Sequence, residues 1–95
     1  MAEPHYVSET QILRRVARDP ACRWIFTRHA EDMTGERNKT APDIQHALTN
    51  GRVTLHEQKR DLLWRVLGAD VDGNRMEVVV AVYEDAIAIK VVTVF

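Results

Sequence analysis

A histidine, a glutamate and an arginine lie within one short stretch of the chain. They are His29, Glu36 and Arg37, and the stretch has the features of a helix. His29 and Glu36 are seven positions apart. A helix therefore places them nearly on one face, about 10 Å apart along its axis. Acid–base cleavage of RNA needs a proton acceptor, a proton donor and a cation for the phosphate, so these three are candidate catalytic residues.

Two basic residues in the second half of the chain are candidates for substrate binding. Arg65 and Lys90 fall in predicted strands, and strand alternation places both on one face of the sheet, on either side of Val79. Their cationic groups would assist the polar set on the predicted helix by binding phosphate. In the alternative interpretation, His29 bonds to the helix backbone, and Glu36 and its neighbour are solvated.

Local patterns predict the helices that would position the candidate residues. The predicted helices are helix one, Ser8 to Arg18; helix two, Arg28 to about Arg37; and helix three, from Thr40 to Asn50-Gly51. Helix one has apolar residues at helical intervals and stops at Asp19-Pro20. Thr27 and Thr40 are suitable N-caps for the other two helices.

Alternating apolar residues and turn residues predict the strands. The predicted strands are Cys22–Thr27, which could also be an extended entry to helix two, then Arg52–Glu57, Leu62–Asp70 and the two halves of Met76–Phe95. Asp72-Gly73 supplies the first hairpin turn, with Gly73 in the left-handed region. Glu84-Asp85 supplies the second, as a two-residue loop.

The predicted strand pairing leaves a second sheet face that is too apolar to face water. The turns place Trp64 opposite Val80 and Val66 opposite Val78 on the core face, which also carries Met76 and Thr93. They place Tyr83 opposite Ala86. The second face then carries Leu63, Arg65, Leu67, Glu77, Val79, Ala81, Tyr83, Ala88, Lys90, Val92 and Val94. We expect helix one, a second copy of the chain or a different partner to cover this face, and the alternative is a ligand or substrate surface.

Length and pattern together predict one small α+β domain. The 95 residues suffice for a single core without disulfides. We expect two or three short helices followed by, and packed on, a mainly antiparallel sheet of about four strands, in the chain order α, short β, α, α, β, β, β, β. Residues 1–7 are predicted to be a loose N-terminal end, and residues 8–95 to form the domain.

Composition and spacing argue against several kinds of site. His29, His46 and His56 lie on different predicted elements without metal-ligand spacing, and Cys22 is the only cysteine, so we expect no metal and no other cofactor. The net charge of −1 gives a weak long-range field for nucleic acid. The sequence has no apolar run of about 18 residues and no signal peptide, so a soluble cytoplasmic protein without membrane contact is expected.

Several short motifs, in the order of these elements, resemble a known family. The motifs are Phe26-Thr27-Arg28-His29-Ala30, Met33, Glu36-Arg37, Ile44 to Gly51, Trp64-Arg65-Val66-Leu67-Gly68, Asp72-Gly73, Val78-Val79-Val80 and Val91-Val92-Thr93-Val94. They resemble a bacterial family of domains of unknown function, DUF4258, from about Trp24 to Val94. The resemblance implies a small α+β plan similar to that of the ribonuclease-like toxins of toxin–antitoxin pairs, and it implies no activity by itself.

Two classes of function are consistent with the sequence. One is a toxin-related protein that acts on RNA, which is favoured by the polar set of helix two and by Arg65 and Lys90. The other is a non-catalytic protein-binding or accessory module, which is favoured by the near-neutral charge and the half-apolar second sheet face. Its partner would be a second copy of the chain, giving a homodimer, or another protein.

Overall fold

A computed structural model of the protein describes residues 6–58 and 61–95. The helices in these ranges are α1 (Val7–Arg18), α2 (Arg28–Glu36) and α3 (Ala41–Asn50). The strands are β1 (Arg23–Phe26), β2 (Arg52–Gln58), β3 (Leu62–Ala69), β4 (Arg75–Tyr83) and β5 (Ala88–Val94). The predicted α+β class and element order are therefore confirmed, with five described strands in one sheet.

Side-chain caps begin two of the three helices. Thr27 Oγ1 accepts a hydrogen bond from a backbone N–H in the first turn of α2 at 3.0 Å. Thr40 begins α3 through a reciprocal capping box. The first helix starts at Val7, one residue before the predicted start, and its N-cap residue Tyr6 makes no side-chain capping hydrogen bond. Of the predicted loose end, residues 1–5 lie outside the described residues.

The sheet has the strand order β1-β5-β4-β3-β2. Strands β2 to β5 form an antiparallel meander in chain order. Segment Cys22–Thr27, for which the sequence allowed either a strand or an extended entry to helix two, contains the edge strand β1. Strand β1 pairs in parallel with β5, and Trp24 lies beside Ile89. A parallel pair needs a long connection, and here most of the domain lies between the two strands.

The hairpin between β3 and β4 is formed as predicted. Trp64 pairs with Val80 and Val66 pairs with Val78, so these side chains share the core face. The backbone N–H of Asp70 donates to a carbonyl across the turn at 2.9 Å. Gly73 has a φ of 88°, which L side chains rarely adopt.

The connection between β4 and β5 differs from the prediction. Tyr83 pairs with Ala88 and not with Ala86, so the two-residue loop is wrong and the connection is Glu84–Ile87. Ile87 has a φ of 49°. A β-branched residue rarely adopts a positive φ, so the sequence gives no reason to expect this longer loop. The register moves by two residues, and a shift by two keeps each side chain on its predicted face.

A β-bulge reverses the faces near the end of β5. The register between β4 and β5 shifts between Val79 and Val80. Val94, predicted on the second face, therefore lies opposite Val78 and is fully buried in the core. Thr93, predicted on the core face, pairs with Val79 on the other face. A bulge adds one unpaired residue, so it inverts the alternation that the prediction relied on.

All three helices pack on one face of the sheet. The buried core residues are Leu13, Val16, Ala30, Ile44, Ala47, Leu48, Val53, Trp64, Val66, Met76, Val78, Val80, Ile89, Val91 and Val94. Leu13 and Val16 of α1 belong to this core, together with Leu48 of α3. The expectation that helix one covers the second sheet face is therefore wrong, and no described helix lies over that face.

Two glycines allow α3 to approach the sheet closely. A Cβ at Gly68 of β3 would lie 2.4 Å from the carbonyl oxygen of Ala47 in α3. A Cβ at Gly51, which follows the helix, would lie 2.4 Å from the same oxygen. Real Cβ atoms do not approach an oxygen this closely, so helix α3 can occupy its position only because both residues are glycine.

A buried polar cluster joins the start of α3 to the turn between β3 and β4. The carboxylate of Asp70 is buried and accepts hydrogen bonds from Lys39 Nζ and from the backbone N–H groups of Asp72 and Asn74. The hydrogen bond from Lys39 lowers the pKa of the Asp70 carboxyl to about 2. Asp43 joins the cluster because its carboxylate accepts a hydrogen bond from the backbone N–H of Val71 in the turn. Backbone N–H donors, first Thr40 and then Val71, lower the pKa of the Asp43 carboxyl.

Candidate functional site

The sheet face opposite the helices carries both predicted substrate-binding residues. We call it the open face, and its side chains are Ile25, Leu55, Leu63, Arg65, Leu67, Glu77, Val79, Ala81, Tyr83, Ala88, Lys90 and Thr93. The alternate positions on the same strands fill the core. The open face therefore combines an apolar surface with a few charged groups, as the sequence predicted.

Lys90 is the centre of one polar group on the open face. Its Nζ donates to Asp61 Oδ2 at 2.8 Å. The Tyr83 side chain is close enough to this pair to contribute to the shift in the pKa of each group. The hydrogen bond to Asp61 raises the pKa of the Lys90 ammonium, and the same bond lowers the pKa of the Asp61 carboxyl. The pair is accordingly an ammonium and a carboxylate across the neutral pH range.

Arg65 is the centre of a second polar group. Its Nε lies 3.2 Å from Glu77 Oε2, without the alignment of a hydrogen bond, so the contact is an ion pair. The guanidinium lies over the ring of Phe95, with 4.4 Å from Cζ to the ring centroid. A bond from the Phe95 backbone N–H to the Glu77 carbonyl at 2.9 Å holds this ring in place. Arg75 approaches the same carboxylate at 3.8 Å.

The predicted catalytic residues lie elsewhere. His29 and Glu36 are exposed on α2, and Arg37 is exposed at its C-terminal end. Helix α2 packs on the core side of the sheet through Ala30, whereas Lys90 alternates with buried core residues and points to the other side. The structure therefore brings Arg65 and Lys90 onto one face, and it does not bring the α2 residues to them.

Three residues of the open face were not selected from the sequence. Asp61 lies just before the predicted strand Leu62–Asp70, and the sequence pattern indicates no chemistry for it, for Tyr83 or for Phe95. Alternation from Val79 and Ala81 correctly predicts that Tyr83 shares a face with Lys90, but it does not predict that the two side chains lie near each other. The contacts of Asp61 and Phe95 join residues far apart in the chain, so no local pattern reports them.

The other two histidines that the sequence analysis considered as metal ligands, and the single cysteine, have structural surroundings. His46 Nδ1 lies 2.9 Å from the carbonyl oxygen of Ala69, and the His56 ring packs edge-on against Tyr6 at 5.0 Å. Burial raises the pKa of the Cys22 thiol, which disfavours the reactive thiolate. Among residues 6–58 and 61–95, no three potential metal ligands lie together.

Comparison with known proteins identifies one related family. The sequence model of a family described as "Domain of unknown function (DUF4258)" matches residues 26–95. No curated protein and no solved structure matches the chain. In the part of the chain that the structure describes, no helix has the length and apolar character needed to cross a membrane.

Proposed function

We propose, from the premise that this chain belongs to the DUF4258 family of domains of unknown function, that its open face binds and cleaves RNA in the bacterial cytoplasm. One observation carries the proposal. The open face presents two cations, Arg65 and Lys90, and each has a carboxylate and an aromatic ring beside it. Cations bind phosphates, aromatic rings stack on bases, and carboxylates accept protons.

The ion pairs on this face set the strength of RNA binding. A phosphate that binds Lys90 must compete with Asp61, and a phosphate that binds Arg65 must compete with Glu77. The carboxylates therefore lower affinity while they hold the cations in place. The side chains of both pairs are half-buried, so urea unfolding of each variant must accompany the binding measurements.

The groups beside the two cations support a proposal that cleavage also takes place on the open face. Glu77 and Asp61 are its proton acceptors, and the Tyr83 hydroxyl is a proton donor. A phosphate held by Arg65 or Lys90 lies on the opposite side of the sheet from His29. Base-assisted attack of a ribose 2′-hydroxyl on the adjacent phosphate, with protonation of the leaving 5′-oxygen, needs these groups and no cofactor.

Lys90→Gln and Asp61→Asn are expected to change RNA affinity in opposite directions. Lys90→Gln should weaken binding of a single-stranded oligoribonucleotide and reduce the salt slope of log K by about 0.7, because one phosphate contact is lost. Asp61→Asn should tighten binding, because the carboxylate no longer competes for Lys90. Fluorescence anisotropy at several salt concentrations measures both effects. Arg18→Gln, on exposed α1, is the matched control and should change neither.

Cleavage of the same oligonucleotide distinguishes the two parts of the predicted site. Glu77→Gln should abolish cleavage, His29→Ala should retain it, and an oligonucleotide with 2′-deoxyribose at every position should not be cleaved. Loss of cleavage in His29→Ala, with full activity in Lys90→Gln, would place the chemistry on α2 instead. No RNA binding by the wild type, or equal effects of the Lys90 and Asp61 changes, would reject the proposal.

The apolar part of the open face supports self-association as a second candidate function. Ile25 is 42% exposed and Leu55 is 40% exposed, at opposite sides of the sheet. A stable interface between two copies packed face to face would need to bury about 800 Å² per copy. Light scattering after size exclusion should then show a dimer that Ile25→Glu with Leu55→Glu converts to a monomer. A monomer at all wild-type concentrations would exclude this function.

A further inference from the structure

A cleft between α1 and β2 lies apart from the open face. It has a volume of about 270 Å³ and is lined by Tyr6, Val7, Thr10, Gln11, Arg14, Arg52 and Val53. Five of its seven lining residues precede residue 26, where the family match begins. The cleft is therefore mainly a feature of the part of this chain outside the family match.

Two arginines give the cleft its charge. Arg14 is held in place because its Nε donates to Gly51 O at 2.9 Å and its Nη2 donates to Asn50 O at 3.2 Å. The other side of its guanidinium keeps its N–H groups for a ligand. Arg52 is exposed at the start of β2, and none of the described residues that line the cleft is an aspartate or a glutamate. Two cations without a lining carboxylate form a site for an anion.

Neutral donors and an aromatic ring complete the lining. Thr10 Oγ1 accepts the backbone N–H of Val53 at 2.9 Å, so its own hydroxyl proton is free to donate to a ligand. Gln11 adds an amide N–H₂. Tyr6, fixed edge-on against His56, forms an apolar wall. The cleft thus has hydrogen-bond donors and cations beside one flat hydrophobic surface.

We infer that this cleft binds a small phosphomonoester of the nucleoside monophosphate class. The phosphate would lie between Arg14 and Arg52, where bidentate guanidinium contacts suit its geometry. The base would lie against Tyr6, since aromatic rings stack on nucleobases. The volume is near the lower end of the range for small-molecule sites, about 300 Å³, which suits a mononucleotide better than a larger cofactor. This site is independent of the proposed RNA function.

Calorimetric titration of the full chain with AMP, adenosine and inorganic phosphate tests the inference. AMP should bind more tightly than either adenosine or phosphate, because only AMP uses both the cations and the aromatic wall. Arg52→Gln should weaken AMP binding by about tenfold through loss of a charge-assisted contact. Gln11→Ala should weaken it less. Arg75→Gln, which removes an exposed arginine from the other side of the sheet, should have no effect.

Three results would overturn the inference. They are AMP binding no tighter than adenosine, AMP affinity unchanged by Arg52→Gln, and equal loss of affinity in Arg52→Gln and Arg75→Gln. Lys90→Gln should leave AMP binding unchanged while it weakens RNA binding, so failure of this site and failure of the RNA proposal are distinguishable. Because Arg52 is exposed, its replacement does not threaten folding, and urea unfolding of each variant verifies this.

Discussion

Gly68→Ala is expected to lower the free energy of unfolding by about 3 kcal/mol or more, which is at the upper end for an added methyl group. The new Cβ would lie 2.4 Å from the carbonyl oxygen of Ala47 and 3.0 Å from its Cα. These are backbone atoms of a packed helix, so no side chain can rotate to make room. Helix α3 must move away from β3, and the core contacts of Ile44 and Leu48 loosen with it.

Urea unfolding followed by tryptophan fluorescence measures this loss, and the chain supplies a matched control. Gly35 lies in α2 and has nothing within 4 Å of a built Cβ. Gly35→Ala should therefore be neutral or stabilise by up to about 1 kcal/mol, from helix propensity alone. Equal effects at Gly35 and Gly68 would show that close approach to α3 is unimportant.

Combining Gly68→Ala with Gly51→Ala tests the mechanism more sharply. Both new Cβ atoms would meet the Ala47 carbonyl oxygen, and the Cβ at Gly51 would also lie 2.8 Å from the carbonyl oxygen of Leu67 in β3. One displacement of α3 away from β3 therefore relieves the contacts that both substitutions make between the helix and that strand. The double variant should thus lose less stability than the sum of the single variants. Additive losses would mean that each glycine is required for a separate local reason.

The sequence predicted the core face of the sheet well because alternation is a local property. Trp64 and Val66 were assigned opposite Val80 and Val78, and the turn at Gly73 has the predicted backbone conformation. The loop from Glu84 to Ile87 was predicted too short, yet an error of two residues preserves the faces. Patterns with period two therefore tolerate errors in loop length that are even in number.

The sequence does not predict which face of the sheet α1 packs on. Its apolar stripe shows that one side is buried, but the stripe does not say which face of the sheet it meets. The apolar second face suggested a cover, and the helix instead joined α3 in the main core through Leu13 and Val16. The β-bulge in β5 was equally unpredictable, because its extra residue, Val92, is a valine like its neighbours and nothing in the residue types marks it.

The candidate site shows the same division between local and long-range information. Alternation correctly placed Arg65 and Lys90 on one face. The helical spacing of His29 and Glu36 was also correct within α2, but spacing along a helix does not report which side of the sheet the helix lies on. Asp61 became part of the open face only through its long-range contact with Lys90.

Asp70→Asn is expected to destabilise the protein more than Asp72→Asn, although the two residues lie in the same turn. The Asp70 carboxylate is 3% exposed and pairs with Lys39, whose side chain is only 18% exposed. Removing the negative charge leaves a partly buried ammonium without its partner, which is a costly arrangement. Asp72 is exposed and contributes mainly its backbone N–H, so its side chain can change freely.

The pH dependence of the free energy of unfolding should show that the negative charge of Asp70 is what Asp70→Asn removes at a cost to stability. Its folded pKa of about 2 lies below the ordinary value of 3.8. Between these values the unfolded chain binds more protons, so stability increases with pH. The contribution is complete above the ordinary value and is lost as pH falls through about 2. Urea midpoints of wild type and Asp70→Asn should therefore converge on acidification, and curves that remain parallel would contradict this cause.

Replacing Lys39 together with Asp70 distinguishes two causes of the lost stability. One is loss of the ion pair between the two side chains, and the other is loss of the hydrogen bonds that Asp70 accepts from the turn. Lys39→Met keeps an unbranched side chain of similar length and removes the ammonium, so Asp70→Asn in that background leaves no unpaired charge. The double variant should be more stable than the sum of the two single losses predicts. If the losses simply add, the turn is stabilised by the hydrogen bonds that Asp70 accepts from the backbone N–H groups of Asp72 and Asn74, and the ion pair with Lys39 contributes nothing.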